Sequence, residues 1–289
     1  MPTTLSPAHR SLAELVCAIL MLGLVPLFAK LVPLDATGII FFRAVFGGLG
    51  LLAFLLWRGG HFSLDAPRDY ARMFAVGTLF AVHFVTLFHA IQISTVAVAM
   101  ASVFTFPVMT VLVEPLFSGA LPRGVDLALA LVAFSGVALI AAPEGSGGAV
   151  VAGVPWGLFS AAMFTLRNIL HRRWLRQYPI SLAMAYQLLV VMLCLLPFAP
   201  SPSEIDPNSW LALALLGLVF TAVAHSLFAG SMRHLPAKTA GLMASLQPVI
   251  SIVAAAVILS EIPDTRTLVG AAMVVSVALF EGISAPRRA

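Results

Sequence analysis

The chain has 289 residues, of which 61% are hydrophobic and only 10% charged, and its formal net charge is +4. A soluble domain carries about 25% charged residues, so this composition excludes a water-soluble fold, and soluble enzymes and nucleic-acid-binding modules with it. The runs 15–29, 73–113, 180–199 and 239–260 contain no Asp, Glu, Lys or Arg, and a helix needs about 20 apolar residues to cross a bilayer.

Taken in chain order, these runs and their neighbours predict ten membrane-spanning helices. They are placed at residues 12–32, 36–57, 70–90, 95–113, 124–142, 153–171, 180–199, 209–232, 237–260 and 266–283. Helices are expected because backbone polar groups in lipid must be satisfied within the segment. The first span ends in Lys30 with no small-residue cleavage pattern after it, so it reads as retained rather than as a removed leader. The run 73–113 is too long for one helix, and Gln92, Ser94 and Thr95 mark a tight turn inside it. Arg58-Gly59-Gly60, residues 143–148 and Pro200-Ser201-Pro202 supply breakers between later spans. Nothing is left over for a soluble domain.

Lys and Arg accumulate in cytoplasmic loops. With the N-terminus inside, that side receives Arg10, Arg58, Arg68, Arg72, Arg123, Arg167, Arg172, Arg173, Arg176, Arg233, Lys238, Arg287 and Arg288, 13 of the 16. Only Lys30 and Arg266 fall outside, and Arg43 lies within the second span. Both termini are therefore expected in the cytoplasm, with the protein in a bacterial inner membrane. The sequence pI near 9.6 is then a topology signal and not a mark of nucleic-acid binding. Cys17 and Cys194 fall within spans and suggest no disulfide framework.

A shift of about 141 residues lays one half of the chain on the other. Phe106-Pro107-Val108-Met109-Thr110-Val111 meets Gln247-Pro248-Val249-Ile250-Ser251-Ile252, and Gly136 falls near Ser276. Each half, 1–145 and 146–289, holds five spans. An odd number makes the halves enter the membrane in opposite directions, an arrangement that recurs in secondary transporters with the substrate site between the repeats.

These features together resemble the EamA-type drug/metabolite transporter superfamily: ten spans in two inverted halves, Pro107 and Pro248 in the fourth and ninth, Arg43 in the second, and Gln247-Pro248-Val249 followed by Ser260-Glu261. The resemblance covers nearly the whole chain. The family's Glu after the ninth span is matched by Glu261, whereas the shift puts Ala120 in the first half and the nearest acid is Glu114. The chain is most similar to bacterial exporters of aromatic amino acids of the YddG type. That resemblance implies export of small hydrophobic metabolites, aromatic and other hydrophobic amino acids foremost, by alternating access through a central apolar cavity. Another metabolite or drug as cargo is the alternative.

Ionisable groups within the hydrocarbon are costly and mark candidate sites. His83 in the third span and His225 in the eighth stand 142 residues apart, close to the repeat offset. Either imidazole can bond a substrate carboxylate or simply brace a neighbouring helix. The expected cavity adds Met100 and Phe104 on the fourth span, Trp156 and Met163 on the sixth, and Ser245 and Gln247 on the ninth. Met and aromatic side chains adapt to hydrophobic ligands, although Trp156 equally suits an interfacial belt. Pro26, Pro107 and Pro248 are expected hinges. Arg43 is expected to pair with a helix end or reach a water-filled vestibule. Glu14, Lys30, Glu114, Arg167 and Glu281 lie near helix ends and are expected to snorkel, His89 is expected at the interface, and Gly153 and Gly157 are expected to mark close helix packing.

The expected partners are a small-molecule substrate and the lipid bilayer. No Walker loop, His-Glu-x-x-His pair or Gly-x-Ser-x-Gly elbow occurs, so no catalytic residue, cofactor or metal is expected and an intramembrane enzyme is disfavoured. No repeated charged ring marks a channel.

Overall fold

The structure, a computed structural model, describes residues 7–59, 62–118, 124–141, 148–232, 234–235 and 243–284. Helices account for nearly all of the regular structure. They run α1 (Pro7–Leu24), α2 (Phe28–Leu31), α3 (Ala36–Trp57), α4 (Pro67–Ile93), α5 (Val96–Val103), α6 (Phe106–Ser118), α7 (Gly124–Ala141), α8 (Gly148–Trp174), α9 (Ile180–Leu195), α10 (Pro207–Ala214), α11 (Ala224–Ser231), α12 (Gln247–Ile258) and α13 (Thr265–Ser284). A 3-10 turn, Val25–Leu27, joins α1 to α2, and a π-helix, Leu215–Val223, joins α10 to α11. Six segments are long and apolar enough to cross a membrane: His9–Leu31, Ala36–Trp57, Pro67–Ile93, Val96–Phe117, Ile180–Phe198 and Pro207–Ser231. Gly124–Ile140, Gln247–Ile258 and Thr265–Val277 are shorter apolar helices. With α8, 27 residues long and so about 40 Å, they make up the ten-helix, all-α membrane architecture.

The ends of these helices follow from local chemistry. Asp35 caps α3, Thr95 caps α5 and Asp206 caps α10, each accepting from an orphan amide of its first turn. The turn at Ser94-Thr95 separates α4 from α5, as the polar residues there predict. Span six is longer than expected and begins at Gly148. Much of the ninth span's first part, and Ala120 with Arg123, lie outside the described residues.

The repeat is visible in individual hydrogen bonds. In the fourth span the Thr105 amide bonds Ser102 O at 3.3 Å, and the helix resumes with Met109 N to Thr105 O at 3.0 Å. In the ninth, Leu246 N bonds Met243 O at 3.0 Å and the helix resumes with Ile250 N to Leu246 O at 3.1 Å. Thr110 Oγ1 donates to Phe106 O at 2.8 Å where Ser251 Oγ donates to Gln247 O at 2.9 Å. Each pair differs by the same 141 positions read from the sequence. The cause of the break is the proline: Pro107 and Pro248 have no amide to continue the ladder, and each sits in the first turn of the segment after the break. Pro26 lies in the 3-10 turn of the first span.

The halves interlock instead of standing apart. The eighth span, α10 to α11, packs on α1 and α3, and its repeat mate α4 packs on α8 and α9; α3 pairs with α9 and α7 with α13. Small residues set the spacing. A Cβ at Gly157 would stand 2.5 Å from Ser102 Cβ, and one at Gly136 would stand 2.7 Å from Gly270 O. Gly153 likewise abuts Ser94 and Ala90 O. Gly153 and Gly157 therefore seat α8 on the α4–α5 corner.

Candidate functional site

Phe80, His83 and Phe84 stand three and four residues apart on α4, so they share one face. Ser160, Phe164 and Arg167 share a face of α8 by the same spacing. The two faces meet across the boundary between the halves. His83 Nδ1 lies 2.8 Å from Ser160 Oγ and 3.1 Å from Ser160 O, and Ser160 Oγ donates to His83 O at 2.9 Å. A carbonyl only accepts and the hydroxyl proton is already committed, so these contacts place a proton on His83 Nδ1. The imidazole stacks on Phe164 at 4.5 Å, Phe164 meets Phe106 edge-on at 4.8 Å, and Phe106 meets Phe104 at 5.6 Å. An aromatic column thus runs from α4 to the break in the fourth span.

A guanidinium stands at each flank of this column. Arg43, only 3% exposed, lies with its Cζ 4.1 Å from the Phe84 centroid, and its Nε donates to Thr221 Oγ1 at 2.9 Å. Thr221 in turn donates to Leu216 O at 2.7 Å, inside the π-helix. Among the described residues Arg43 Nη1 is buried with no hydrogen-bond partner. Arg167 Nε and Nη2 donate to Gln187 Oε1, Nη1 donates to Asn168 Oδ1 at 2.8 Å, and Cζ lies 4.5 Å from the Phe80 centroid. Desolvated cation–π contacts are worth about 2 kcal/mol, which offsets part of the cost of burying each cation. Among the described residues neither guanidinium pairs with a carboxylate.

His225 lies half-buried on α11, one turn beyond Thr221, and both guanidiniums act on it and on His83 electrostatically. A π-helix precedes His225 on the eighth span, and the two histidines are spaced 142 apart where the backbone repeat is 141.

The expected cavity residues divide in two. His83 and Phe104 belong to the column, Met163 is half-buried beside Phe164 on α8, Met100 is buried on α5, and Ser245 and Gln247 flank the break in the ninth span. Trp156 does not join them. It is 42% exposed and meets His89 edge-on at 4.9 Å, beside a recess of about 220 Å³ shared with Asp35 and Gln92. His89, expected at the interface, lines the same recess.

Arg167 is a correction to the sequence reading. It turns inward to Gln187 and the aromatic column and does not snorkel from a helix end. The sequence reading also passed over Phe80, Phe84, Ser160, Phe164, Gln187 and Thr221. The signal for them was the helical spacing of Phe80, His83 and Phe84, and of Ser160, Phe164 and Arg167, on single faces.

The two ends of the molecule differ. At the end where α2 finishes, Lys30 Nζ donates to Ser94 O at 2.7 Å and stands 3.5 Å from Glu261 Oε1, while Glu261 Oε2 accepts from Val96 N at 2.9 Å. Gln92 Nε2 adds bonds to Ala29 O and Leu34 O at 3.2 and 2.8 Å. Ser260, with φ of 56°, turns the chain to present Glu261. This clasp joins the first, third, fourth and ninth spans. The other end opens a recess of about 420 Å³ among Arg10, Glu14, Phe54, Arg58, Leu218 and Gly230.

The family model described as the EamA-like transporter family matches residues 11–142 and again 151–280. An uncharacterized transporter YxxF of Bacillus subtilis (strain 168) is 22% identical over 268 residues, covering 90% of this chain and 86% of its own. An uncharacterized transporter of Archaeoglobus fulgidus is 24% identical over 264 residues, covering 91% and 93%. A protein of known crystal structure superposes with a TM-score of 0.64 at 21% identity, over 96% of this chain and 99% of that one.

Proposed function

The chain belongs to the EamA-like transporter family, and from that premise we propose that it exports small hydrophobic metabolites, aromatic and other hydrophobic amino acids foremost, by alternating access across a bacterial inner membrane. The observation that carries this reading is the aromatic column Phe80–His83–Phe164–Phe106–Phe104 at the meeting of the two halves. It offers stacking surfaces for a ring and lies against the break in a spanning helix, the element that binds cargo and moves in inverted-repeat carriers.

The paired breaks before Pro107 and Pro248 let the outer segments tilt with the halves, and Pro26 allows the same in the first span. The Lys30–Glu261 clasp ties one end together beside the recess at Asp35, Gln92 and Trp156, and the larger recess between Arg10 and Arg58 lies at the other end. With both termini cytoplasmic, as the distribution of Lys and Arg favours, the clasped end is the extracellular one.

Uptake of radiolabelled amino acids into proteoliposomes tests the reading. Phe, Tyr or Trp crossing faster than through protein-free vesicles supports it, and equal rates sink the cargo class. If Leu, Met or Thr outcompete the aromatic amino acids, the carrier reading stands with an aliphatic cargo.

A further inference from the structure

We infer that the central site selects cargo bearing a carboxylate, which docks on the free Nη1 of Arg43 while its apolar part lies along Phe84 and Phe80, and that a bare carboxylic acid is preferred to a zwitterion. The inference rests on reading the column as the transport site, but not on the cargo being an amino acid.

The charge inventory carries it. Arg43 on α3 and Arg167 on α8 flank the column, and His83 is the ionisable group within it. There is no Asp or Glu on α3, α8, α9, α10, α11 or α12. The one acid on α4, Asp69, lies in its first turn and is taken by Arg72 at 2.9 Å and the Tyr178 hydroxyl at 2.7 Å. Glu114 on α6 bonds Arg172 at 2.7 Å, toward the helix ends. The middle of the protein therefore holds two guanidiniums and no counter-charge among the described residues.

A buried cation is retained where it meets an anion or serves function. Arg167 has its donors occupied by the amides of Gln187 and Asn168. Arg43 does not: Nε is used by Thr221, the face is used by Phe84, and Nη1 is left buried without an acceptor. An unmade bond on a charged donor is a standing cost, and an incoming carboxylate oxygen removes it. Arg is the residue suited to that geometry, since its planar fork matches a carboxylate. The same field acts against an ammonium: a cargo amine has no acid to pair with and two cations nearby. Phe84 already lies against Arg43, and Phe80 lies 4.1 Å from Phe84, so a ring attached to the acid by a short linker reaches a stacking surface.

Competition binding to the purified full chain in lipid nanodiscs, with labelled 3-phenylpropionate at neutral pH, tests this without any substitution. The competitors are L-phenylalanine, 3-phenylpropionamide, phenethylamine and butyrate. The expected order is acid, then zwitterion, then amide, then amine, with the acid ahead of its isosteric amide by about tenfold to hundredfold, the span of a charge-assisted hydrogen bond. Arg43→Gln should bring the acid-to-amide ratio close to one, and Arg43→Lys should keep part of it. Equal binding of acid and amide overturns the inference and leaves the aromatic cargo standing. Butyrate matching 3-phenylpropionate sinks the aromatic cargo and leaves the carboxylate site standing. Failure of every carboxylate to bind overturns the site itself.

Discussion

His83 and His225 stand 142 residues apart, close to the repeat offset of 141, yet they are held differently. His83 is locked to Ser160 by three short contacts and stacked on Phe164. His225 is half-buried and, among the described residues, makes no hydrogen bond. The helices carrying them differ as well: α4 is an unbroken helix of 27 residues, whereas the eighth span passes through a π-helix that turns Thr221 toward Arg43. An inverted repeat reproduces backbone positions, and what each position does depends on which side chains the opposite half supplies. The first half gives a rigid brace and the second a looser wall.

The strongest way to break this comparison is at the helix seats. Gly157→Leu drives a side chain into Ser102 on the neighbouring helix and is expected to abolish a monodisperse peak in size-exclusion chromatography. Gly48→Ala meets nothing nearer than Leu188 Cβ at 3.8 Å, and a folded protein is expected. Equal damage from both would mean that the two seats are alike.

Next in size is the brace itself. His83→Ala removes the Nδ1 contacts to Ser160 Oγ and O and a stacked ring, while the Ser160 hydroxyl keeps its bond to the main-chain carbonyl of residue 83. A loss of about 2 to 4 kcal/mol is expected, read as a lower thermal midpoint in detergent. His225→Ala should move that midpoint little and act on transport. The reverse outcome, a stable His83 variant and a collapsed His225 variant, would invert the assignment.

A smaller effect is expected at the clasp. Glu261→Gln removes the charge facing Lys30 and weakens the bond to Val96 N, so the clasped end should open more often. A cysteine placed at Gln92 should then react faster with a membrane-impermeant maleimide, and an unchanged rate would show that the clasp does not hold that end shut.

The least effect concerns the caps. The Ser209 hydroxyl and the Ser209 and Asn208 amides hold the Asp206 carboxyl below its ordinary range, against an opposing effect of desolvation. A depressed folded-state pKa stabilises above the unfolded value near 3.8 and is lost as pH falls through the lower folded value. Thermal midpoints should therefore be flat from about pH 5 to 8 on this account and fall only in stronger acid, more gently in Asp206→Ala. The matching helix of the first half, α4, starts at Ala66 with no side-chain cap, so no equivalent substitution exists there.

Much of this architecture was legible from residues alone. Uncharged runs, the turn at Ser94-Thr95 and the prolines at 107 and 248 mark where lipid and backbone chemistry permit helices and where they must break. These are local or bulk effects, and the offset of 141 survives into single hydrogen bonds because a proline removes its amide wherever it sits. His83 and Phe104 were singled out from the sequence as polar or aromatic residues at mid-depth, and both belong to the aromatic column. Trp156 was not placed, since depth within a helix says nothing of which neighbours meet its face.

Arg167 shows most clearly what the tertiary structure decided. Its position near a helix end suggests an escape to the membrane surface, and only the approach of Gln187 from α9 and Phe80 from α4 turns it inward. The same holds for Arg43, whose isolation follows from Thr221 and Phe84 arriving from opposite halves and no acid arriving with them. Composition and periodicity determined that this chain is a ten-helix membrane protein of two inverted halves, because solvation acts on each residue by itself. The arrangement of charge at its centre was decided by packing, because counter-charge is a property of pairs that lie far apart in the chain.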